Sequence, residues 1–303
     1  MRNTIINKIT EKAARDKNIF MVTGDAGFGV LDEYKDRFPH RFLNLGVAEQ
    51  NMISFSACLA LAGHRVFVYN IIPFLLYRCY EQVRNDICYQ RLPVTLIGIG
   101  SGVTYAPQGI THYAVEDIAL ARTLPNLAIL SPSDPLEAER CAEYALESRG
   151  PLYIRVAKSG ERCIYKIKPQ DITEPRLLKK GKRVAVLFHG SIASEVMAAL
   201  EGLRREITLI SVPMLHPLDF NSLSEIIKDV RALITVEEHY VEGGLGSIIA
   251  EWLLREGRSL RLRKLGINNE FIHAIKNTIG MRELYGISAD KIRRVIMEEY
   301  ERR

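Results

Sequence analysis

The sequence predicts an α/β protein of two domains, each a mostly parallel sheet covered by helices. Three observations predict it. The chain has 303 residues, enough for two cores at roughly 100–200 residues per domain. Short apolar runs alternate with helical stretches, the pattern of strands joined by helical crossovers. That alternation occurs twice, on either side of a polar segment that bears prolines. The expected boundaries are a first domain over 1–160, a linker over 161–180 and a second domain over 181–303.

In the first domain, IFMVT (19–23) is a short buried-strand pattern that ends in Gly24. RFLNLG (41–46) is a second strand pattern, running into a helical stretch from Val47 to about Ala62, where Gly63 can cap it. VFVY (66–69) follows, then a helical stretch to about Gln90. PVTLIGIG (93–100) is the most strand-like run, entered through Pro93. NLAIL (126–130) leads into SPSDPLEAERCAEYAL, where Ser133 or Asp134 can cap a helix with Pro135 at its first position. PLYIRV (151–156) closes the series.

The second domain repeats the scheme with VAVLF (184–188), a helix from Ile192, ITLISV (207–212) and a helix near 221–229. ALITV (232–236), a helix from Gly246, LRLRKLGI and the amphipathic SADKIRRVIMEEYERR complete it. The halves share architecture without a sequence repeat. In parallel sheets ligands sit at the carboxyl ends of strands. Chemistry is therefore expected in Gly24–Val30, Gly46–Gln50, Tyr69–Phe74, Gly98–His112 and Arg155–Gly160.

Composition narrows the class. Hydrophobic residues make up 47% and charged residues 25%, ordinary for a globular protein and unlike a disordered or collagen-like chain. No apolar run reaches the roughly 18–20 residues that cross a bilayer, and the N-terminus does not read as a secretory signal. Cys58, Cys79, Cys88, Cys141 and Cys163 are an odd number without a CxxC pair, which fits buried or inert thiols in a reducing cytoplasm. The net charge is +5, with the basic residues spread along the chain; LLKKGKR and RLRK are short, so nucleic-acid binding is not expected.

Several residues at the strand ends could carry chemistry. Glu49, in LNLGVAEQNM, stands in the first turn of an apolar helix. It either stabilises that helix through the dipole or bonds a ring nitrogen of a cofactor. Asp25 in TGDAGFG, followed by Asn51, imitates a metal-diphosphate motif, but Ala26 stands at the motif's glycine and Asn51 falls inside a helix. No magnesium site is expected in this chain. His112 lies in a glycine-containing loop after the best-formed strand. Phe74 and Tyr77 have an i,i+3 spacing that also suits core packing. Arg155 could grip a phosphate or carboxylate bidentately, or form an ion pair.

The order GVAEQNM, RCYEQVRND, GITHYAVEDIALARTLPNLAILSPSDPLEAE, GPLYIRVAKSGE resembles the C-terminal part of transketolase, and VEEHYVEGGLGSIIAEWL resembles its third domain. The similarity runs from about residue 2 to the end of the chain. It extends to 1-deoxyxylulose-5-phosphate synthase and to the beta subunits of 2-oxoacid dehydrogenases. It implies a thiamine-diphosphate-binding pyrimidine domain followed by a transketolase C-terminal domain. The family's diphosphate-binding domain, with its magnesium site, has no counterpart here. The resemblance therefore implies a split enzyme, completed by a separate N-terminal diphosphate-binding subunit in a two-plus-two assembly that holds thiamine diphosphate and Mg2+.

By the same resemblance Glu49 bonds the aminopyrimidine and starts catalysis. Phe74 and Tyr77 form its aromatic wall, with Ile71 in place of a third aromatic and Val47 among the cofactor contacts. Asp25 matches an acidic residue near the thiazolium. His112 matches a histidine that bonds substrate hydroxyls, Arg155 an arginine on substrate phosphate, and Arg2 a second one less closely. Three further positions depart from the family pattern: Gln108 replaces an aspartate, Gly100 a histidine and Gly29 a serine. A Gln both donates and accepts hydrogen bonds, so hydroxyl recognition should change. The expected activity is transfer of a two-carbon ketol unit between sugars or sugar phosphates. The alternatives are a decarboxylating synthase, a 2-oxoacid dehydrogenase beta subunit, or a non-catalytic subunit that retains the fold.

Overall fold

In the computed structural model, which describes residues 1–158 and 160–302, the two series of strands build two separate sheets flanked by helices. The first series is β1 (Ile19–Thr23), β2 (Phe42–Asn44), β3 (Arg65–Ile71), β4 (Val94–Ile99), β5 (Ala128–Leu130) and β6 (Leu152–Val156). These six pair in parallel, in the order β5-β6-β4-β3-β1-β2. Every residue of β4 and β6 is buried, because helices cover both faces of a parallel sheet and leave no polar side.

The second sheet is built from β7 (Arg176–Lys179), β8 (Arg183–Phe188), β9 (Ile207–Ser211), β11 (Val230–Tyr240) and β12 (Arg261–Ile267), in the order β12-β11-β8-β9-β7. Only β7 runs antiparallel. The remaining strand, β10 (Met214–His216), leaves the second series and adds antiparallel to β5 at the edge of the first sheet. Neither β7 nor β10 is legible in the sequence. β10 is three residues between Pro213 and Pro217, and β7 is an edge strand whose residues alternate between half-buried and exposed. The segment expected as a linker thus contains β7, and it also buries Tyr165 and Ile172. Asp134 caps the Pro135–Glu147 helix through Glu137 N–H (2.8 Å), and its other oxygen accepts from Ile164 and Tyr165 N–H.

The two halves share a core. One apolar cluster joins Met52, Ile118 and Ile129 of the first half to Leu215, Ile249 and Trp252 of the second. Polar groups also cross the contact. His189, just past β8, bonds Ser131 Oγ through Nδ1 (2.9 Å), and its Nε2 lies 3.6 Å from Glu237 Oε2. Glu237 in turn accepts from Leu245 and Gly246 N–H at the start of the Leu245–Arg255 helix (2.7 and 2.8 Å). A Cβ on Gly244 would collide with that carboxylate, which is why the chain enters the helix on glycines.

Burial holds the His189 pKa below its ordinary value, against the upward pull of Glu237. The neutral imidazole then contributes stability that is fully present above pH ~6.5 and is lost as pH falls through the lower, folded-state value. The melting temperature of His189→Gln is expected to fall less steeply than that of the parent between pH 7 and pH 5. Parallel melting curves would contradict this.

Cys79, Cys88 and Cys141 are buried, as expected, but Cys58 and Cys163 are exposed. Among the described residues no helix is long and apolar enough to cross a membrane, and no group of three His, Cys, Asp or Glu side chains could hold a metal ion.

Candidate active site

The carboxyl ends of β1, β2 and β3 are tied together by two asparagines. Asn44 Oδ1 accepts from both Asp25 N–H and Gly46 N–H (2.9 Å each). Asn70 Nδ2 donates to Gly24 O (3.2 Å). The turns approach so closely that a Cβ on Gly24 would lie 2.8 Å from Asn70 Nδ2 and 3.0 Å from Gly46 O. Asp25 is left exposed with φ 53°, a left-handed conformation that aspartate tolerates better than most residues.

Beyond Gly46 the chain enters the Glu49–Leu61 helix. Val47 is 80% exposed just before it, whereas Glu49, the first helical residue, is only 4% exposed. Glu49 Oε1 accepts from Arg78 Nη1 at 2.7 Å, and its Oε2 has no donor among the described residues. The Arg78 guanidinium also lies over the Phe74 ring, 4.6 Å from its centre. One planar cation thus touches both the buried carboxylate and the aromatic face.

Phe74 and Tyr77 sit in a wide π-type turn, Pro73–Tyr77, closed by Arg78 N–H to Pro73 O (3.1 Å). They diverge. Phe74 meets the His112 ring edge-on at 5.3 Å, while the Tyr77 hydroxyl donates to Glu116 Oε2 at 2.9 Å. Ile71, at the end of β3, is half-buried, and its N–H is held by Asn70 Oδ1.

The loop from Gly100 to His112 needs left-handed glycines at Gly100, Gly102 and Gly109. His112 is half-buried, its Nδ1 2.9 Å from Thr111 Oγ1, and burial lowers its pKa and so favours the neutral ring. Such a ring offers one donor and one acceptor. Gln108 is exposed in the same loop. His112 faces Tyr105 at 5.9 Å, and Lys158 Nζ lies 5.0 Å from the Tyr105 ring centre. Burial raises the pKa of the Tyr69 hydroxyl to about 12 and raises that of Tyr105, and Arg2 is close enough to offset part of both shifts. Glu49, Phe74 and His112 are thereby linked into one wall through Arg78, and Tyr105, Lys158 and Arg2 extend it.

Arg155 is the correction. It is 1% exposed and fully engaged inside the protein: Nε to Asp117 Oδ2 (2.7 Å), Nη2 to Ala114 O (3.0 Å) and to Glu238 O (2.8 Å). Residues two apart on a strand share a face, so Arg155 points with Tyr153, whose hydroxyl donates to the same Asp117 oxygen. It lies inside β6, not beyond its end, and cannot reach a ligand. Lys158 is the cation that emerges past that strand end, half-buried. Sequence reasoning missed Lys158, Arg78, Asn44 and Asn70. Their signal was position only: Asn44 ends β2, Asn70 is the penultimate residue of β3, and Lys158 follows β6.

Comparison with known proteins follows these two halves. Residues 1–161 match the family model described as transketolase, pyrimidine binding domain, and residues 174–292 match transketolase, C-terminal domain. The chain is 36% identical over 262 residues to one of the subunits of the apulose-4-phosphate transketolase of Actinobacillus succinogenes, covering 84% of this chain and 83% of that one. It is 32% identical to 1-deoxy-D-xylulose-5-phosphate synthase of Heliobacterium modesticaldum, covering 94% of this chain but 45% of the relative. A solved structure of a split gene transketolase, an inactive beta4 tetramer, superposes with a TM-score of 0.86 at 29% identity, covering 98% of this chain and 97% of that one.

Proposed function

We propose a function from the premise that this chain belongs to the transketolase family, carrying its pyrimidine-binding and C-terminal domains. The reading is one half of a split enzyme that transfers a two-carbon ketol unit between sugar-type substrates with thiamine diphosphate. A separate chain carrying the diphosphate-binding domain would complete the site and hold Mg2+. The Actinobacillus relative, matched along most of both chains, is itself named as a transketolase subunit, which supports the division of labour.

The observation that carries the reading is Glu49, a buried carboxylate at a helix start that Arg78 bridges to the Phe74 ring. The donor set fits an aminopyrimidine. Arg78, itself flat and rich in N–H groups, already lies across both Glu49 and Phe74. When bound, thiamine diphosphate supplies carbanion stabilisation. Glu49 holds a proton at the pyrimidine ring nitrogen, either through Oε2 or after Arg78 leaves Oε1. Phe74 and Ile71 would supply apolar surface at the ring and Val47 a flanking contact, while Tyr77 stays on Glu116. Asp25 stands exposed past the end of β1, where its carboxylate would offset the positive charge of the cofactor. His112, as the neutral imidazole, orients a substrate hydroxyl, with Gln108 on the rim beside it.

Lys158 and Arg2 are assigned to the anionic end of the substrate in place of Arg155. Lys158→Ala is expected to raise KM for a phosphorylated substrate by roughly 10–100-fold, the loss of one charge-assisted hydrogen bond, with a much smaller change in kcat. A kcat loss at constant KM would remove Lys158 from substrate binding.

The second reading, a decarboxylating synthase, is supported by 32% identity to the Heliobacterium enzyme. Reconstitution with the diphosphate-binding partner separates the two. Ketol transfer from a ketose phosphate to an aldose, without CO2 release from a 2-oxo acid, is expected. CO2 release without ketol transfer would overturn the first reading. Tight thiamine diphosphate binding by this chain alone would overturn the split.

A further inference from the structure

The basic run LLKKGKR takes no part in the site described above. It forms the turn between β7 and β8, at the amino-terminal edge of the parallel strands of the second sheet. The contact with the first half lies at the other edge, where His189 follows β8. The six residues of β8 separate the two edges by about 17 Å.

This turn is pressed against a second basic run. Lys182 N–H donates to Glu206 O (2.8 Å) and Gly181 N–H to Thr208 Oγ1 (3.1 Å). A Cβ on Gly181 would collide with the Glu206–Ile207 backbone, so only glycine lets the strands approach this closely. Arg183, at φ 68°, and the exposed Arg204 and Arg205 are thereby brought together. Between them opens a cleft of about 710 Å3, which Lys179 and Lys180 also line.

Its electrostatics are unbalanced. Five cations line the cleft against two carboxylates, Glu206 and Glu301. Among the described residues none of the five lies within 4 Å of a carboxylate, whereas Arg261 and Arg302 are both paired with Glu299. The arginine heads are nevertheless positioned. Those of Arg183 and Arg205 sit 5.4 and 5.6 Å from the centre of the Tyr300 ring, within cation–π range. Two guanidinium groups are thus gathered on one ring, and among the described residues neither is ion-paired with the carboxylates of the cleft, Glu206 and Glu301. The guanidinium fork matches phosphate oxygens bidentately.

We infer that this cleft binds a small, multiply phosphorylated anion. Five cations around one open cleft exceed what one phosphate needs. A single-stranded nucleic acid would require an aromatic platform free to stack on bases, and Tyr300 already carries two guanidinium groups.

The test is calorimetric titration of the full chain with inorganic tripolyphosphate, with orthophosphate and a short single-stranded oligonucleotide alongside. Saturable tripolyphosphate binding is expected, tighter than orthophosphate and weakening with added salt. Lys180→Ala/Arg205→Ala should weaken it by roughly tenfold or more. Both side chains are exposed, so the variant's melting temperature without ligand should match the parent's and serves as the folding control. Three results would overturn the inference: no saturation by tripolyphosphate, equal binding by the variant, or an oligonucleotide that binds more tightly than tripolyphosphate.

Discussion

Glu49→Gln in the complex reconstituted with a diphosphate-binding partner is expected to lower kcat by about 10²–10⁴-fold, the range of a lost general acid–base contribution. The substitution preserves shape and leaves an amide oxygen, but it removes the charge that favours a protonated ring nitrogen. The fold should be nearly indifferent. Among the described residues the ion pair lost is the one to Arg78, which is about half exposed, and such pairs are worth roughly 0–1 kcal/mol. The measurement is steady-state kinetics together with the melting temperature of the same preparation. Unchanged turnover would take Glu49 out of the mechanism and leave it as a helix-terminal carboxylate. A large loss of melting temperature would show instead that the carboxylate is structural.

Arg155→Met is expected to act in the opposite way, on the fold and not on substrate affinity. It leaves Asp117 buried with its charge uncompensated: among the described residues Oδ1 already lacks a partner and Oδ2 keeps only the Tyr153 hydroxyl. It also cuts the tie from β6 to Glu238 O in the second half. Breaking a buried pair from one side costs about 3–5 kcal/mol, and at this chain length the melting temperature should drop by roughly 10 °C. Arg155→Met/Asp117→Leu should recover part of that loss, because the orphaned charge is removed as well. The folded fraction should keep its KM for a phosphorylated substrate. A raised KM at unchanged melting temperature would restore Arg155 to the substrate.

The contrast between these residues shows how far the candidate site was legible. The place of Glu49 at a helix start could be read because its setting is local: a strand end, a glycine turn and a helix start within a few positions, while its role rests on the resemblance. His112 and Phe74 could be read separately, though not their 5.3 Å contact, which depends on two loops meeting above the sheet. Arg155 and Lys158 are three positions apart at the end of one strand, and which of them faces a ligand depends on where β6 stops. Tyr77 was expected beside Phe74 from a helical spacing. The turn there is wider than an α-helix, and Tyr77 bonds Glu116 instead.

By itself the sequence determined the succession of parallel strands and helices, since each element needs only its own periodicity and its own breakers. It also determined the family, which rests on residue order along nearly the whole chain. Only the tertiary structure decided which charges are free. Arg155 is consumed by Asp117, Arg78 is drawn onto Glu49 and Phe74, and the cations of LLKKGKR are joined by Arg204 and Arg205 with no ion pair among the described residues. It likewise decided that β10 leaves its own series to edge the first sheet, and that β7 forms within a polar segment. The physical reason is common to all of these. Partners for a charged group or an unpaired strand edge come from segments distant along the chain, and pairing energy depends on distance in space, which a linear pattern does not encode.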